Sequence, residues 1–265
     1  MKLQYKLLHS LKKFYSSQYW LAKCVIYLLI FVAPLYAQNP ADLFKQANTA
    51  YENENFEESI PLYEELLENN FVSVELYYNL GNAYFKSGKI GKTVLNYNRA
   101  LKLSPRNEDA KFNLEFAQLR IEENPTQVEN VFIQFLKQIY YLFNLNELPI
   151  ITAIFYWLLA ISLFIYILFK IDFLKIPNLI LSIVFALSLC WCISRIYVNS
   201  KIVEAIVIEP QTQAKNGPGD EYAVGFTVPE GKKVLVLGIK DNWIAIGLPK
   251  EGLKGWIKST QLEKI

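Results

Sequence analysis

Residues 74–107 read VELYYNLGNAYFKSGKIGKTVLNYNRALKLSPRN, and the stretch before them, residues 40–73, reads PADLFKQANTAYENENFEESIPLYEELLENNFVS. The two align without a gap at a shift of 34 residues. Ala47 falls on Gly81, Asn48 on Asn82, Ala50 on Tyr84, Tyr51 on Phe85, Phe56 on Ile90, Ser59 on Thr93, Tyr63 on Tyr97, Leu66 on Ala100 and Leu67 on Leu101. A fixed period of this length marks an array of helix-turn-helix units, each burying its apolar face only when a neighbour stacks on it. Gly81 and Ala100 let helices approach, the aromatic positions fill the space between them, and Pro105 stops the second helix. A further helix over Asp109–Ile121 matches only at Leu114 and reads as a cap, which so short a stack needs.

The second copy, Tyr77-x-x-Leu80-Gly81-x-x-Tyr84 followed by Tyr97, Ala100 and Pro105, closely resembles the tetratricopeptide repeat family. Thr93 stands where the family carries a smaller residue, and the first copy departs further, with Gln46 in place of Leu and Phe71 in place of Pro. The resemblance implies a domain over 40–124, with repeats at 40–73 and 74–107 and a cap helix at 108–122, whose inner face binds protein partners. Candidate partner-binding residues on that face are Asn48, Tyr78, Asn82, Phe85 and Lys86, with Phe44 and Arg120 beside them. Asparagines at equivalent positions suit an extended peptide backbone or a terminal carboxylate; the competing reading is that they are solvated helix residues. Phe44 and Tyr78 occupy positions where a fuller basic clamp would place lysine. Residues 40–73 hold eight acids and one base, residues 74–107 six bases and one acid, a polarity that either steers a partner or favours stacking of the repeats.

The hydrophobic fraction of 52% in 265 residues fits a membrane protein with soluble parts, and the apolar excess is localised. Residues 1–37 carry five lysines and no acid, then an apolar run from Cys24 to Ala33 and Pro34-Leu35-Tyr36-Ala37. That order predicts a signal peptide cleaved after Ala37, the competing reading being an uncleaved anchor. Two later stretches are long enough to cross a bilayer: 148–169, with no charge, and 176–194, bounded by Lys175 and Arg195. Export of the N-terminus would place the link 170–175 in the cytoplasm and both soluble regions outside the inner membrane. Cys190 and Cys192 point to different sides of a helix and read as inert packing. Residues 127–145, with Val128, Val131, Phe132, Phe135, Leu136, Ile139, Tyr140 and Phe143 at spacings of three and four, predict an amphipathic helix. It either lies on membrane lipid or packs on the preceding domain.

From residue 203 onward the period becomes two. Strands are predicted at 205–208, 225–228, 233–237, 243–246 and 255–257, separated by turns rich in Gly, Pro, Asp and Asn, which indicates a small all-β barrel over 203–265. Lys215-Asn216-Gly217-Pro218-Gly219, Val228-Pro229-Glu230-Gly231, Asn242-Trp243 and Gly255-Trp256-Ile257 resemble bacterial SH3-like domains. Trp243 and Trp256 are expected in its core, or else in a binding groove. The resemblance implies a domain that binds peptides or peptidoglycan.

The whole order, signal, helical repeats, membrane hairpin and SH3-like barrel, resembles BatE-like proteins of bacterial aerotolerance (Bat) operons. It implies work beside Bat membrane proteins with von Willebrand factor A-like domains and a MoxR-type ATPase.

Composition argues against catalysis. His9, the single histidine, lies in the predicted signal, so a mature chain would lack imidazole for triads, metal ligation or pH switching. No phosphate loop or metal-ligand spacing occurs, and no cofactor is expected. Glu57, Glu58, Glu64 and Glu65 read as a solvated helix face. The net charge of +2 is spread without a basic face, which excludes a nucleic-acid footprint.

Overall fold

A computed structural model of the chain describes residues 39–121 and 130–265. The predicted signal peptide, with His9 and Cys24, lies outside the described residues, as do the last residue of the cap helix and the first three of the amphipathic helix. The chain divides into two compact units, Met1–Lys45 and Gln46–Ile265. The described part of the first is the start of a helix whose first turn is capped by Asn39 Oδ1, which accepts from the Ala41 N–H at 3.2 Å.

The helical repeat consists of α1 (Pro40–Glu52), α2 (Phe56–Glu68), α3 (Val74–Lys86), α4 (Ile90–Leu103) and the cap α5 (Glu108–Gln118). Its 34-residue period extends to the backbone. The turns inside the two pairs place Glu54 and Gly88 at φ 60° and 74°, and the caps of α3 and α5 are Ser73, accepting from Leu76 N–H, and Asn107, accepting from Ala110 N–H. Ser59 and Thr93 are buried and satisfied, their hydroxyls donating to the Phe56 and Lys89 carbonyls, so the larger Thr93 costs the repeat no unpaired group. Gly81 is obligatory: a Cβ there would lie 2.7 Å from the buried Tyr97 ring.

Two apolar helices follow, α7 (Glu147–Phe169) and α8 (Lys175–Lys201), both long and apolar enough to cross a membrane. They are joined through a left-handed Lys170 and a single 3-10 turn over Asp172–Leu174. They run antiparallel, with the Thr152 hydroxyl reaching the Ser188 carbonyl, so Glu147 and Lys201 lie at the same end of the pair. The second helix extends past the apolar stretch 176–194. It continues without a break to Lys201, and strand β1 starts two residues later. Arg195 marks a change of surroundings and not of backbone, since an arginine propagates a helix as well as leucine does. Before the pair, α6 (Val131–Tyr140) is shorter than the expected 127–145.

The C-terminal region is an antiparallel seven-stranded sheet: β1 (Val203–Val207), β2 (Thr212–Lys215), β3 (Val224–Val228), β4 (Lys233–Lys240), β5 (Trp243–Leu248), β6 (Leu253–Lys258) and β7 (Leu262–Lys264). The order is β3-β2-β6-β5-β4-β1-β7, consistent with an SH3-like barrel. Five strands are those expected from the sequence; β2 and β7 are additional, too short and polar to show a period. The core is Ala205, Val207, Ala214, Val228, Val234, Ile244, Ile246, Leu248, Ile257 and Leu262. Trp243 and Trp256 are not in it. They alternate with the buried Ile244 and Ile257 and therefore lie half-buried on the opposite face, which corrects the core expectation.

Strand β1 has both faces covered. Ala205 and Val207 point into the barrel, while Ile206 enters a second core with Val94, Leu95, Tyr97 and Ala117 of the repeat. The apolar run at 205–208 is thus that of a strand buried on both sides. Helix α4 meets it closely enough that a Cβ on Gly91 would fall 2.7 Å from Glu230 Cγ and 2.8 Å from the Val207 carbonyl and Ile208 Cα. The Gly91 N–H donates to Glu230 Oε1 at 2.6 Å, so the sheet caps a helix whose own N-cap residue, Lys89, supplies no side-chain bond. In a solvated helix Gly→Ala gains up to about 1 kcal/mol. Gly91→Ala should instead lower stability by about 1–3 kcal/mol, because backbone cannot yield as a side chain can; thermal unfolding of the detergent-solubilised chain gives the sign.

Candidate functional site

The five candidate residues of the repeat come from two first helices. Tyr78, Asn82, Phe85 and Lys86 lie on α3 and Asn48 on α1, linked by a polar ladder that repeats with the sequence. Asn48 Oδ1 accepts from Tyr63 Oη at 2.6 Å and from Asn79 Nδ2 at 3.0 Å. One period later, Asn82 Oδ1 accepts from Tyr97 Oη at 2.6 Å and from Asn113 Nδ2 at 3.1 Å. Each unit joins the two helices of one repeat to the first helix of the next. Asn113 also donates to Tyr78 Oη at 3.1 Å. The asparagines are therefore not simply solvated: both lone pairs of each side-chain carbonyl are used internally, and only their amide N–H groups are left to offer a ligand. Such a site suits an acceptor, such as a peptide carbonyl or carboxylate. Tyr63 and Tyr97 sit well above the ordinary phenol range, chiefly through burial, so they remain donors at any physiological pH.

Phe85 lies one turn on from Asn82 along α3. Its ring is 5.7 Å from Phe116, and the Arg120 guanidinium stacks over both rings at 4.6 and 5.7 Å. Phe112 on α5 and Leu119 at its C-cap, 68% and 76% exposed, extend the apolar surface. Lys86 is exposed nearby. Sequence reasoning missed Asn79, Asn113, Phe112 and Phe116. The signal for the first two was present, since Asn79 and Asn113 are themselves one period apart.

Most bases of the second repeat are engaged within the fold. Lys89 pairs with Glu57 and Lys92 with Glu64, each at 3.3 Å, between the repeats. Tyr84, pushed upward by burial and by the Glu64 carboxylate, donates to Glu64 and accepts from Lys92. Arg99 bonds Glu263 and the Lys264 carbonyl, and Lys102 the Ile265 carbonyl. Arg106 makes a two-pronged bridge to Glu147 at 2.6 and 3.3 Å. Lys86, exposed like Lys89 and Lys102, makes none of these bonds.

Residues 74–107 match the tetratricopeptide repeat family model. A comparison with curated proteins finds no match to the chain. The tetratricopeptide repeat supports a protein-interaction scaffold, and its first helices carry the candidate face described above.

A second cluster surrounds the tryptophans of the sheet. Trp243 stands opposite Lys258 in the register, and Trp256 opposite both Ala245 and Lys215. The Lys215 and Lys258 ammonium groups each lie 5.5 Å from the Trp243 ring centroid, and both bond Asp220, at 3.4 and 3.1 Å. Lys258, then Lys215, holds the Asp220 carboxyl below the ordinary carboxylate range.

Two predictions test these readings. Asn82→Ala strands the Tyr97 hydroxyl and the Asn113 amide and should cost about 1–3 kcal/mol of stability, whereas Lys86→Glu should change it by less than about 0.5 kcal/mol; chemical denaturation separates them. A depressed carboxylate contributes stability above its unfolded pKa and loses it as pH falls through the lower folded value. The Trp243 indole N–H resonance should accordingly shift with a midpoint below about 3.9, the unperturbed aspartate value, and Asp220→Asn should abolish that transition.

Proposed function

We propose that the chain is a non-enzymatic, membrane-anchored scaffold that holds a protein partner on the first-helix face of its tetratricopeptide repeat. The observation that carries this reading is the asparagine ladder: its internally bonded carbonyls leave amide donors beside an exposed aromatic patch and Lys86. That combination suits an extended segment with carbonyl or carboxylate acceptors and an apolar side chain. In this reading α7 and α8 anchor the protein in the inner membrane, and both soluble regions face outward. The partners belong to a Bat-type envelope or stress-tolerance complex, with Bat membrane proteins and a MoxR-type ATPase as the expected context.

The alternative is a peptidoglycan anchor. The half-buried Trp243 and Trp256 with Lys215 and Lys258 favour it, because indole faces stack on sugars and ammonium groups pair with stem-peptide carboxylates.

Photo-crosslinking from a benzoylphenylalanine at Phe112 in the full-length protein tests the scaffold. It should capture a defined protein whose yield falls at least about tenfold with Lys86→Glu combined with Phe116→Ala, corresponding to a loss of about 1.4 kcal/mol. Capture of nothing above the parent background would remove the reading. Sedimentation with purified cell wall tests the anchor: retention of the intact chain that is lost on Trp243→Ala would support it in place of the scaffold. The intact chain is required, since Ile206 would be uncovered in an isolated sheet.

A further inference from the structure

Helix α6 is apolar over most of its circumference, yet none of its residues is buried. At about 100° per residue, Gln134, Lys137 and Gln138 fall within one third of the helix, Phe132, Phe135, Leu136 and Ile139 occupy the opposite side, and Val131 lies at the edge of the polar arc. Val131 and Phe132 are 74% and 65% exposed. An exposed aromatic and aliphatic face of this kind needs a partner.

Its position names one. The C-terminal end of α6 is fastened to α8 at the level where the two apolar helices begin and end. Tyr140 Oη lies 2.8 Å from Ser194 Oγ, and Trp191 Nε1 donates to the Tyr140 carbonyl at 3.2 Å. The Arg195 guanidinium sits over the Tyr140 and Tyr141 rings at 5.3 and 4.4 Å and donates to the Phe143 carbonyl, and Phe143 packs edge-on against Trp191. Arg195 is buried by these contacts, and Trp191 with the tyrosines forms an aromatic set of the kind that concentrates at a bilayer surface. On the other side Arg106 bonds Glu147 and the Leu142 carbonyl, while Asn144 bonds the Leu103 carbonyl, which fixes the same turn to the end of α4.

We infer that α6 lies in the plane of the membrane, with Phe132, Phe135, Leu136 and Ile139 in the boundary between headgroups and acyl chains and Gln134 and Lys137 toward water. The inference rests on the membrane-spanning reading of α7 and α8. It decides between the two roles left open for this segment: its partner is lipid and not the cap helix. With Arg106 and Arg195 gripping the turn that follows, the helix sets the height at which the repeat stands above the bilayer.

The test uses the full-length chain in phosphatidylcholine vesicles, with Cys24, Cys190 and Cys192 changed to alanine. Single cysteines at Ile161, Phe132, Ile139 or Gln134 carry an environment-sensitive fluorophore, challenged by aqueous iodide and by nitroxides fixed at shallow or deep acyl positions. The Ile161 probe should lose emission to the deep nitroxide. The Phe132 and Ile139 probes should be blue-shifted and lose emission to the shallow nitroxide, and the Gln134 probe should lose it to iodide. Phe132→Gln with Phe135→Gln should move the Ile139 probe to the iodide-quenched state. Iodide quenching at Phe132 and Ile139, or protection there from every quencher, would overturn the inference while leaving the spans intact. Iodide quenching at Ile161 would instead overturn the spans.

Discussion

Helix α4 is the member on which the rest depends. Gly91, Thr93, Val94, Leu95, Asn96, Tyr97, Asn98 and Ala100 are all buried, because α4 packs against α3, against the cap α5 and, beyond the repeat, against the sheet. The extra cover is β1. Full burial of one isoleucine such as Ile206 is worth about 1.5–3 kcal/mol, and the Glu230 bond to the Gly91 amide, a carboxylate at a helix N-terminus, adds about 1.5–3 kcal/mol. The Arg99–Glu263 bridge is partly exposed and contributes under about 1 kcal/mol. Apolar burial and the helix cap therefore hold the junction, and the ion pairs set its register.

The same economy shapes the inner face. A stack of two units has few neighbours to share its core, so it joins successive helices through buried phenols and asparagines that would otherwise be available to a ligand. What remains for recognition is narrower than the residue types suggest: amide donors, an aromatic edge on α3 and α5, and one lysine. Discrimination by such a surface comes from apolar fit and acceptor geometry, because most charge of the second repeat is neutralised within the fold.

Much of this was legible in the sequence. The period of 34 fixed the helical pairs and their equivalences down to Asn48 and Asn82, since each repeat solves the same packing problem. The apolar runs located the membrane-length helices, and the alternation located five of the seven strands. Three things were hidden, each for a physical reason. The length of the helix beyond Ser194 was hidden because the charge on Arg195 bounds the apolar stretch, whereas the backbone continues through it. Trp243 and Trp256 looked like core because large aromatics usually are, but the neighbouring isoleucines fill the barrel and leave the indoles outside. The junction of repeat and sheet depends on Gly91 and Glu230, which are 139 positions apart and carry no local pattern.

The two-sided burial of β1 also bears on how the chain is made. Helix α4 emerges from the ribosome early, but the strand that covers its second side follows only after the apolar pair, roughly a hundred residues later at about 5–20 residues per second. For some seconds the repeat therefore holds a half-dressed helix, with Val94 and Leu95 open to other chains, while its partner strand waits on synthesis of the apolar pair. The product is a protein whose repeat and sheet mature together, in an order imposed by the place of the two apolar helices between them.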